Sequence, residues 1–372
     1  MKQSESVKKV MRIGIDARPI YQTGVGVYIR NLLHHLPSYA PEDWDIRLIV
    51  METDKKRVRE EFPHYGLECG NYRWHSISEQ IAFATRLQQL SFDLVHFTYF
   101  SYPMVYRRPF ISTIHDLTPL MYKTGNASTL HPLLYTIKHK ALEWVLHSAV
   151  VHSKSVITPT KAVKNALIRY WGDRYSDKIH PIYEGLDATF EQARAKNVLN
   201  YRYPSKYLLY VGNFYPHKNV QRLLRAVALT QHELVLIGPY DNFAKEIWQV
   251  ASRLGVEKRV HMLHKATSAD VKYAFAHATA LVHPAIVEGF GLTILEALSQ
   301  GCPVVASDIP VFQELYKGAY TPFAPLEVDS IIAALQTLKN KKNVSDGAQY
   351  VKKYSFATMT KQTVQQYKAA LT

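Results

Sequence analysis

The stretch HPAIVEGFGLTILEALSQGCPVVASDIP, from His283 to Pro310, constrains the fold more than any other. It opens with a loop holding Glu288, Gly289, Phe290 and Gly291. Apolar residues at helical spacing follow, Leu292, Leu295 and Leu298. Gly301 ends that helix, and Pro303-Val304-Val305-Ala306 reads as a buried strand. Loop, helix, stop and apolar strand in succession form one step of a βα alternation, and the same step recurs along the chain. In the first half the strands expected are Arg12 to Asp16, Ile46 to Met51, Leu94 to Phe97, Phe110 to Ile114, Ser155 to Thr158 and Lys178 to Tyr183. In the second they are Tyr207 to Gly212, Glu233 to Gly238, Val260 to Leu263 and Ala280 to His283. Such alternation predicts an α/β protein with mainly parallel sheets. A length of 372 residues is long for one core and suits two domains. The expected boundaries are 1–190 and 206–352 for two Rossmann-like domains, with a polar linker over 190–205 and a closing amphipathic helix within 353–372.

The loop-to-helix junction at Gly291 is also where chemistry is expected. A helix start presents unpaired backbone N–H groups and a partial positive charge, which together favour a phosphate. Two glycines let a ligand come close to the backbone. Glu288 in the loop and Glu296 on the helix are carboxylates suited to hydroxyls, such as those of a sugar and a ribose. On spacing alone, a glycine turn before a core helix with two solvated glutamates fits equally well.

Other stretches add candidates. Gly24-Val25-Gly26 precedes a helix carrying Val27, Ile29, Leu32 and Leu33, the way nucleotide-binding α/β domains begin; a tight turn is the alternative. It is not G-x-G-x-x-G, so nicotinamide or flavin binding gains little. His115 and Asp116 stand at the carboxyl end of a strand, where a sheet offers side chains to a ligand, although a lone histidine is more often a satisfied core residue. The loop NFYPHKN, Asn213 to Asn219, brings Lys218 to a helix start. There an ammonium and helix-end amides stabilise a leaving diphosphate without a metal; an exposed loop lysine is the alternative. Thr160 is the expected N-cap of a helix running to Trp171. Asp43-Trp44-Asp45 lies in a polar loop before a strand, at the end of an open sheet away from its active sites.

Composition narrows the classes. With 47% hydrophobic and 20% charged residues the chain is globular. The net charge of +14 is spread, 25 basic against 19 acidic residues up to residue 195 and 20 against 12 after it. That distribution argues against a nucleic-acid arm and suits anionic ligands or an anionic membrane surface. Cys69 and Cys302 are too few for a disulfide framework and lack metal-ligand spacing, so a reducing cytoplasm is the default. No apolar run reaches the roughly 18 residues that span a bilayer, and the lead MKQSESVKKV lacks an apolar signal core. The segment FTYFSYPMVYRRP and the run from Leu130 to Leu146, with Lys138 and Lys140, offer aromatic and basic groups for a membrane interface. An ordinary core-facing helix is the alternative for the latter.

Glu288 and Glu296, with Gly-Phe-Gly-Leu between them, resemble the signature of family 4 of the retaining glycosyltransferases, which have the GT-B fold. The resemblance extends from Met11 to the C-terminal helix. It implies two Rossmann-like domains facing across a cleft, with the final helix packing back on the first domain. It also implies transfer from a nucleoside diphosphate sugar, with no metal and no cofactor. Glu288, His115 and Lys218 would carry catalysis, with Glu288 and His115 facing the donor sugar from opposite sides. The diphosphate would lie against Gly289, Phe290, Gly291, Leu292 and Thr293 together with Lys218. Asn213 stands where relatives often carry a second cation, a shortfall that His217 would offset. Glu296 would take the ribose hydroxyls. The base would be held beside His264 and Lys265. Gly24 and Gly26 would lie beside the diphosphate and the acceptor. Glu184 departs from the family pattern, which has Asn there.

Gly-Ile-Asp-Ala-Arg-Pro and Thr-Ile-His-Asp-Leu-Thr-Pro resemble the mannosyltransferase-like branch. That implies GDP-mannose as donor and a glycan or lipid-linked acceptor in O-antigen-like polysaccharide synthesis, at the inner face of the cell membrane. UDP-glucose and UDP-N-acetylglucosamine stay open as donors. A GT-B epimerase and a catalytically silent nucleotide-sugar binder are the competing readings; nucleic-acid binding is suggested by charge alone.

Overall fold

The computed structural model describes residues 10–121, 132–340 and 347–372. The chain divides into two compact units, Met1–Tyr183 with Phe356–Thr372, and Glu184–Ser355.

The first unit holds β1 (Met11–Asp16), β2 (Trp44–Met51), β3 (Gly66–Gly70), β4 (Leu94–Phe97), β5 (Phe110–Thr113), β6 (Ser155–Thr158) and β7 (Ile179–Pro181). They form one parallel sheet in the order β3-β2-β1-β4-β5-β6-β7. All four residues of β4, β5 and β6 are buried, as a central strand covered on both faces requires. The second unit repeats the plan with β8 (Tyr207–Val211), β9 (Glu233–Ile237), β10 (Val260–Leu263), β11 (Ala280–His283), β12 (Val304–Ser307) and β13 (Thr321–Phe323). Their order is β10-β9-β8-β11-β12-β13, again parallel. In each sheet the order reverses beside the first strand, so the loops leaving β1 and β4, and those leaving β8 and β11, diverge. Open α/β sheets bind ligands at that switch point.

The helix Phe356–Leu371 belongs to the first unit. It buries Phe356, Met359, Thr360, Thr363, Val364 and Tyr367, one stripe at helical spacing. Gln366 accepts a hydrogen bond from Ser155 of β6 at 2.9 Å. Thr160 caps the helix Lys161–Trp171 by accepting from the Val163 amide at 3.2 Å.

Some expectations need correcting. The break between units falls after Tyr183, and residues 190–205 belong to the second unit. The Lys196 amide donates to Ala269 O at 3.1 Å and the Leu199 amide to the Asp270 carboxylate at 2.8 Å, so this polar stretch is tied down by its own backbone. Asp45 rests against Arg12 at 3.7 Å at the amino end of the sheet. In the helix Pro132–His152, Leu146 and Val150 are buried while Trp144 is 73% exposed. Leu130 and the polar lead over 1–9 lie outside the described residues, as do the side chains of Leu133, Leu134, Ile137 and Lys138. Among the described residues no helix is long and apolar enough to cross a membrane.

Candidate functional site

The switch point of the second unit is built by two loops, 212–219 after β8 and 284–291 after β11. Asn219 ties them together. It is buried, adopts a left-handed φ of 59°, and donates through Nδ2 to Pro284 O at 3.0 Å and Pro325 O at 2.7 Å. The Ile286 amide donates to His217 O at 2.9 Å. With the loops fixed in this way, Lys218 Nζ donates to Glu288 Oε1, the two side chains being 16% and 13% exposed. Burial is the largest single influence and would raise the Glu288 pKa, but Lys218, with His283 and His217, together outweigh it and hold the carboxyl below its usual range. His283, the last residue of β11, brings Nε2 to 3.3 Å from the same oxygen. Burial pushes its pKa down to about 4 against the pull of Glu288, so this imidazole is neutral at pH 7.

The next element is the helix Leu292–Ser299, whose N-cap is Gly291 at φ 81°, with no side chain capping the helix start. Any other residue there would be strained, and its Cβ would lie 2.6 Å from Phe312. Phe290 is buried, edge-on to Tyr316 and Tyr354 at 6.4 and 5.5 Å, so only its backbone faces the loop surface. Tyr316 fixes the turn further by donating to Gly291 O at 3.3 Å. Leu292 and Thr293 are half-buried in the first turn. Glu296 follows one turn later. Burial, with the Asp187 carboxylate nearby, pushes its pKa up to about 8. Asp187 caps the short helix Ala188–Gln192, in the turn that begins at Glu184.

At the ends of β9 and β10, His264 Nδ1 donates to Gly238 O at 2.9 Å, and Tyr240 stands edge-on to that imidazole at 4.9 Å. Lys265 is exposed and left-handed, with φ 60°. Asn213 accepts from the Tyr215 amide at 3.5 Å, and its carbonyl receives the Tyr210 hydroxyl.

In the first unit, Gly24 caps the helix Val25–His35. Gly26 lies inside that helix rather than in the loop expected for it. A Cβ there would meet Ile20 O at 2.5 Å, so it is glycine because the incoming loop crosses the first turn. His115 donates from Nε2 to Thr98 O at 3.0 Å. Tyr28 stands edge-on to it at 4.9 Å. Asp116 accepts from the Thr118 amide at 2.7 Å, a turn-forming role.

The structure thus gathers Lys218, Glu288 and the start of the Leu292–Ser299 helix within one loop cluster. An ammonium and helix-end amides bind an anion, while the carboxylates accept hydroxyls. Sequence reasoning missed His283, Asp187 and the buried Asp16-Arg18-Glu79 network. In that network the Arg18 guanidinium bonds Asp16 at 2.8 and 2.7 Å and Glu79 at 2.8 Å. The sequence signal for His283 was present, a histidine ending an apolar strand five residues before Glu288. Among the described residues no group of three or more His, Cys, Asp or Glu side chains is arranged to hold a metal ion.

Two family models match adjoining stretches of the chain, Glycosyltransferase Family 4 over residues 22–190 and Glycosyl transferases group 1 over residues 191–354. The chain is 26% identical over 290 residues to the O-antigen chain mannosyltransferase RfbU of Salmonella typhimurium, covering 77% of this chain and 76% of that protein. It is 34% identical over 174 residues to the O-antigen chain mannosyltransferase B of Escherichia coli, covering 44% and 45%. Sucrose-phosphate synthase from Thermosynechococcus elongatus superposes with a TM-score of 0.75 at 18% identity, covering 96% of this chain and 98% of that one, which shows the GT-B fold.

Proposed function

The chain belongs to glycosyltransferase family 4, and on that premise we propose that it moves a hexose from a nucleoside diphosphate sugar to a glycan or lipid-linked acceptor with retention of configuration. The observation that carries this reading is the Lys218–Glu288 pair beside the uncapped start of the Leu292–Ser299 helix. In the reaction the bond from the anomeric carbon to the diphosphate breaks, and the acceptor oxygen bonds that carbon on the same face. The acceptor proton passes to the departing phosphate oxygen. Charge grows on the diphosphate as it leaves, where Lys218 and the amides of Leu292 and Thr293 lower the barrier without a metal ion. Glu288 grips the sugar hydroxyls and faces the positive charge developing on the ring. Glu296 takes the ribose. His115 enters this reading from the sequence pattern alone.

Mannose from GDP-mannose is the first choice of donor, because both curated relatives described above are O-antigen mannosyltransferases. Surface polysaccharide synthesis follows from the same names. An acceptor anchored in lipid places the enzyme at an anionic membrane surface. Exposed Trp144, with Lys140 on the same helix, supports docking through the first unit. Binding to phosphatidylcholine vesicles as strong as to anionic ones counts against that docking.

The test of the main reading is a thermal-shift screen of GDP-mannose, UDP-glucose, UDP-N-acetylglucosamine and ADP-glucose, since a bound donor stabilises the fold by mass action. GDP-mannose should raise the melting temperature most. The anomeric configuration of the product, read by NMR, then tests retention. A protein that no nucleotide sugar stabilises overturns the reading.

A further inference from the structure

We propose that His283 is a positioning residue that holds the Glu288 carboxylate when Lys218 turns to a nucleotide diphosphate. The proposal rests on the reading of Lys218 as a diphosphate-binding group. Lys218 and His283 converge on one oxygen of Glu288, the first as an ion-pair partner and the second with Nε2 at 3.3 Å. An arriving diphosphate competes for the ammonium. Glu288 would then be a part-buried carboxylate with its counter-charge withdrawn and new negative charge nearby, the situation in which a broken buried pair is most costly.

His283 is the group already in place to answer that loss. Its position is set by the strand, its ring stands edge-on to Phe312 at 5.2 Å, and it is 3% exposed. Nδ1 is buried and has no hydrogen-bond partner among the described residues. A core histidine kept for its own sake would be satisfied at both nitrogens. Here Nδ1 has no partner beyond its own residue's backbone, and Nε2 is the nitrogen within reach of the carboxylate. In the neutral tautomer with its hydrogen on Nε2, that nitrogen lies 3.3 Å from Glu288 Oε1, near enough to close a hydrogen bond once Lys218 turns away. The charged and titratable groups facing His283 are Glu288, Lys218 and His217. Of these, Lys218 is the one the diphosphate withdraws.

The test is a double-mutant cycle on nucleotide affinity, read by isothermal titration with GDP and with UDP. His283→Phe should weaken binding of the preferred nucleotide about tenfold when Glu288 is present. In a Glu288→Gln background, where no charge is stranded, the same change should cost less than about twofold. His283→Gln, whose Nε2 reaches the same place, should stay within about threefold of wild type. Equal losses in both backgrounds, or a His283→Gln variant as weak as His283→Phe, reduce the histidine to packing and overturn the proposal, as does a His283→Phe variant that binds like wild type. His283→Leu runs through the same cycle, so a phenylalanine variant that fails to fold leaves the question decidable. A wild-type protein that binds neither nucleotide overturns the parent reading together with this one.

Discussion

Lys218 and Glu288, 70 residues apart in sequence, meet in an ion pair that joins the loops leaving β8 and β11. The pair exists because the Asn219 side chain, donating to Pro284 O, and the Ile286 amide, donating to His217 O, tie those loops together, so Lys218 and Glu288 meet on a frame that neither supplies. Removing the carboxylate should therefore leave the frame standing. Glu288→Ala is expected to lower kcat/KM by about 10³-fold or more, the scale of losing a group that meets charge in the transition state. Its far-ultraviolet circular dichroism should match wild type. Turnover near the wild-type level removes Glu288 from catalysis.

Lys218→Ala separates the diphosphate from the rest of the nucleotide. A charge-assisted hydrogen bond contributes ~1.5–3 kcal/mol, which is about 10- to 150-fold in affinity. That loss should appear for GDP or UDP and be absent for the corresponding nucleoside, measured by competition on the same preparation. Equal losses for nucleotide and nucleoside place Lys218 away from the phosphates.

Glu296 gives a pH signature. Burial first, then Asp187, raises its folded-state pKa from 4.5 to about 8. The folded protein therefore binds this proton more tightly than the unfolded chain across that window. Its contribution to stability falls as pH rises from 4.5 to about 8 and is level above that. Glu296→Gln carries no such proton. The melting temperature of Glu296→Gln minus that of wild type should grow between pH 4.5 and 8 and then flatten. A difference independent of pH refutes the raised pKa.

The parallel sheets, the closing helix and the loop at Glu288 were legible because each rests on a local pattern, apolar strands, a 3.6-residue stripe and a glycine at a helix start. What escaped depended on distance. Strand β3, GLECG, is half-buried and flanked by glycines, and β13, TPF, carries a proline at the sheet edge, so neither shows a strand-like run. The Asp16-Arg18-Glu79 network joins residues 61 positions apart, and its sequence looks like ordinary surface charge. Residues 190–205 read as a linker because they are polar, and polarity does not tell a linker from a strap whose amides bond Ala269 and Asp270. Gly26 was read as loop because a glycine needed for close approach looks the same in sequence as one needed for a turn.

The closing helix offers the last test. Tyr367, fully buried, brings its hydroxyl to 2.6 Å from His96 Nδ1, and His96 Nε2 lies 2.7 Å from Thr113 Oγ1, itself 3.2 Å from the Tyr28 hydroxyl. Burial pushes the His96 pKa down to about 3, so the ring is neutral and has one hydrogen to share between two neighbours. With Nε2–H donated to Thr113, Nδ1 needs a donor, and Tyr367 is placed to be it. Tyr367→Phe removes that donor without opening a cavity. It leaves a buried nitrogen unpaired, at a cost of about 1–3 kcal/mol. In a unit of about 200 residues, such as the first, each kcal/mol lowers the melting temperature by about 2–4 °C. Amide exchange along 356–371 should quicken, since this bond joins the helix to the sheet. The decisive control is His96→Leu, in which no ring nitrogen remains to be orphaned, so the added Tyr367→Phe change should cost almost nothing. If Tyr367→Phe costs as much with leucine at 96 as with histidine, the hydroxyl is not serving His96, and the helix is held by its apolar stripe and the Ser155–Gln366 bond.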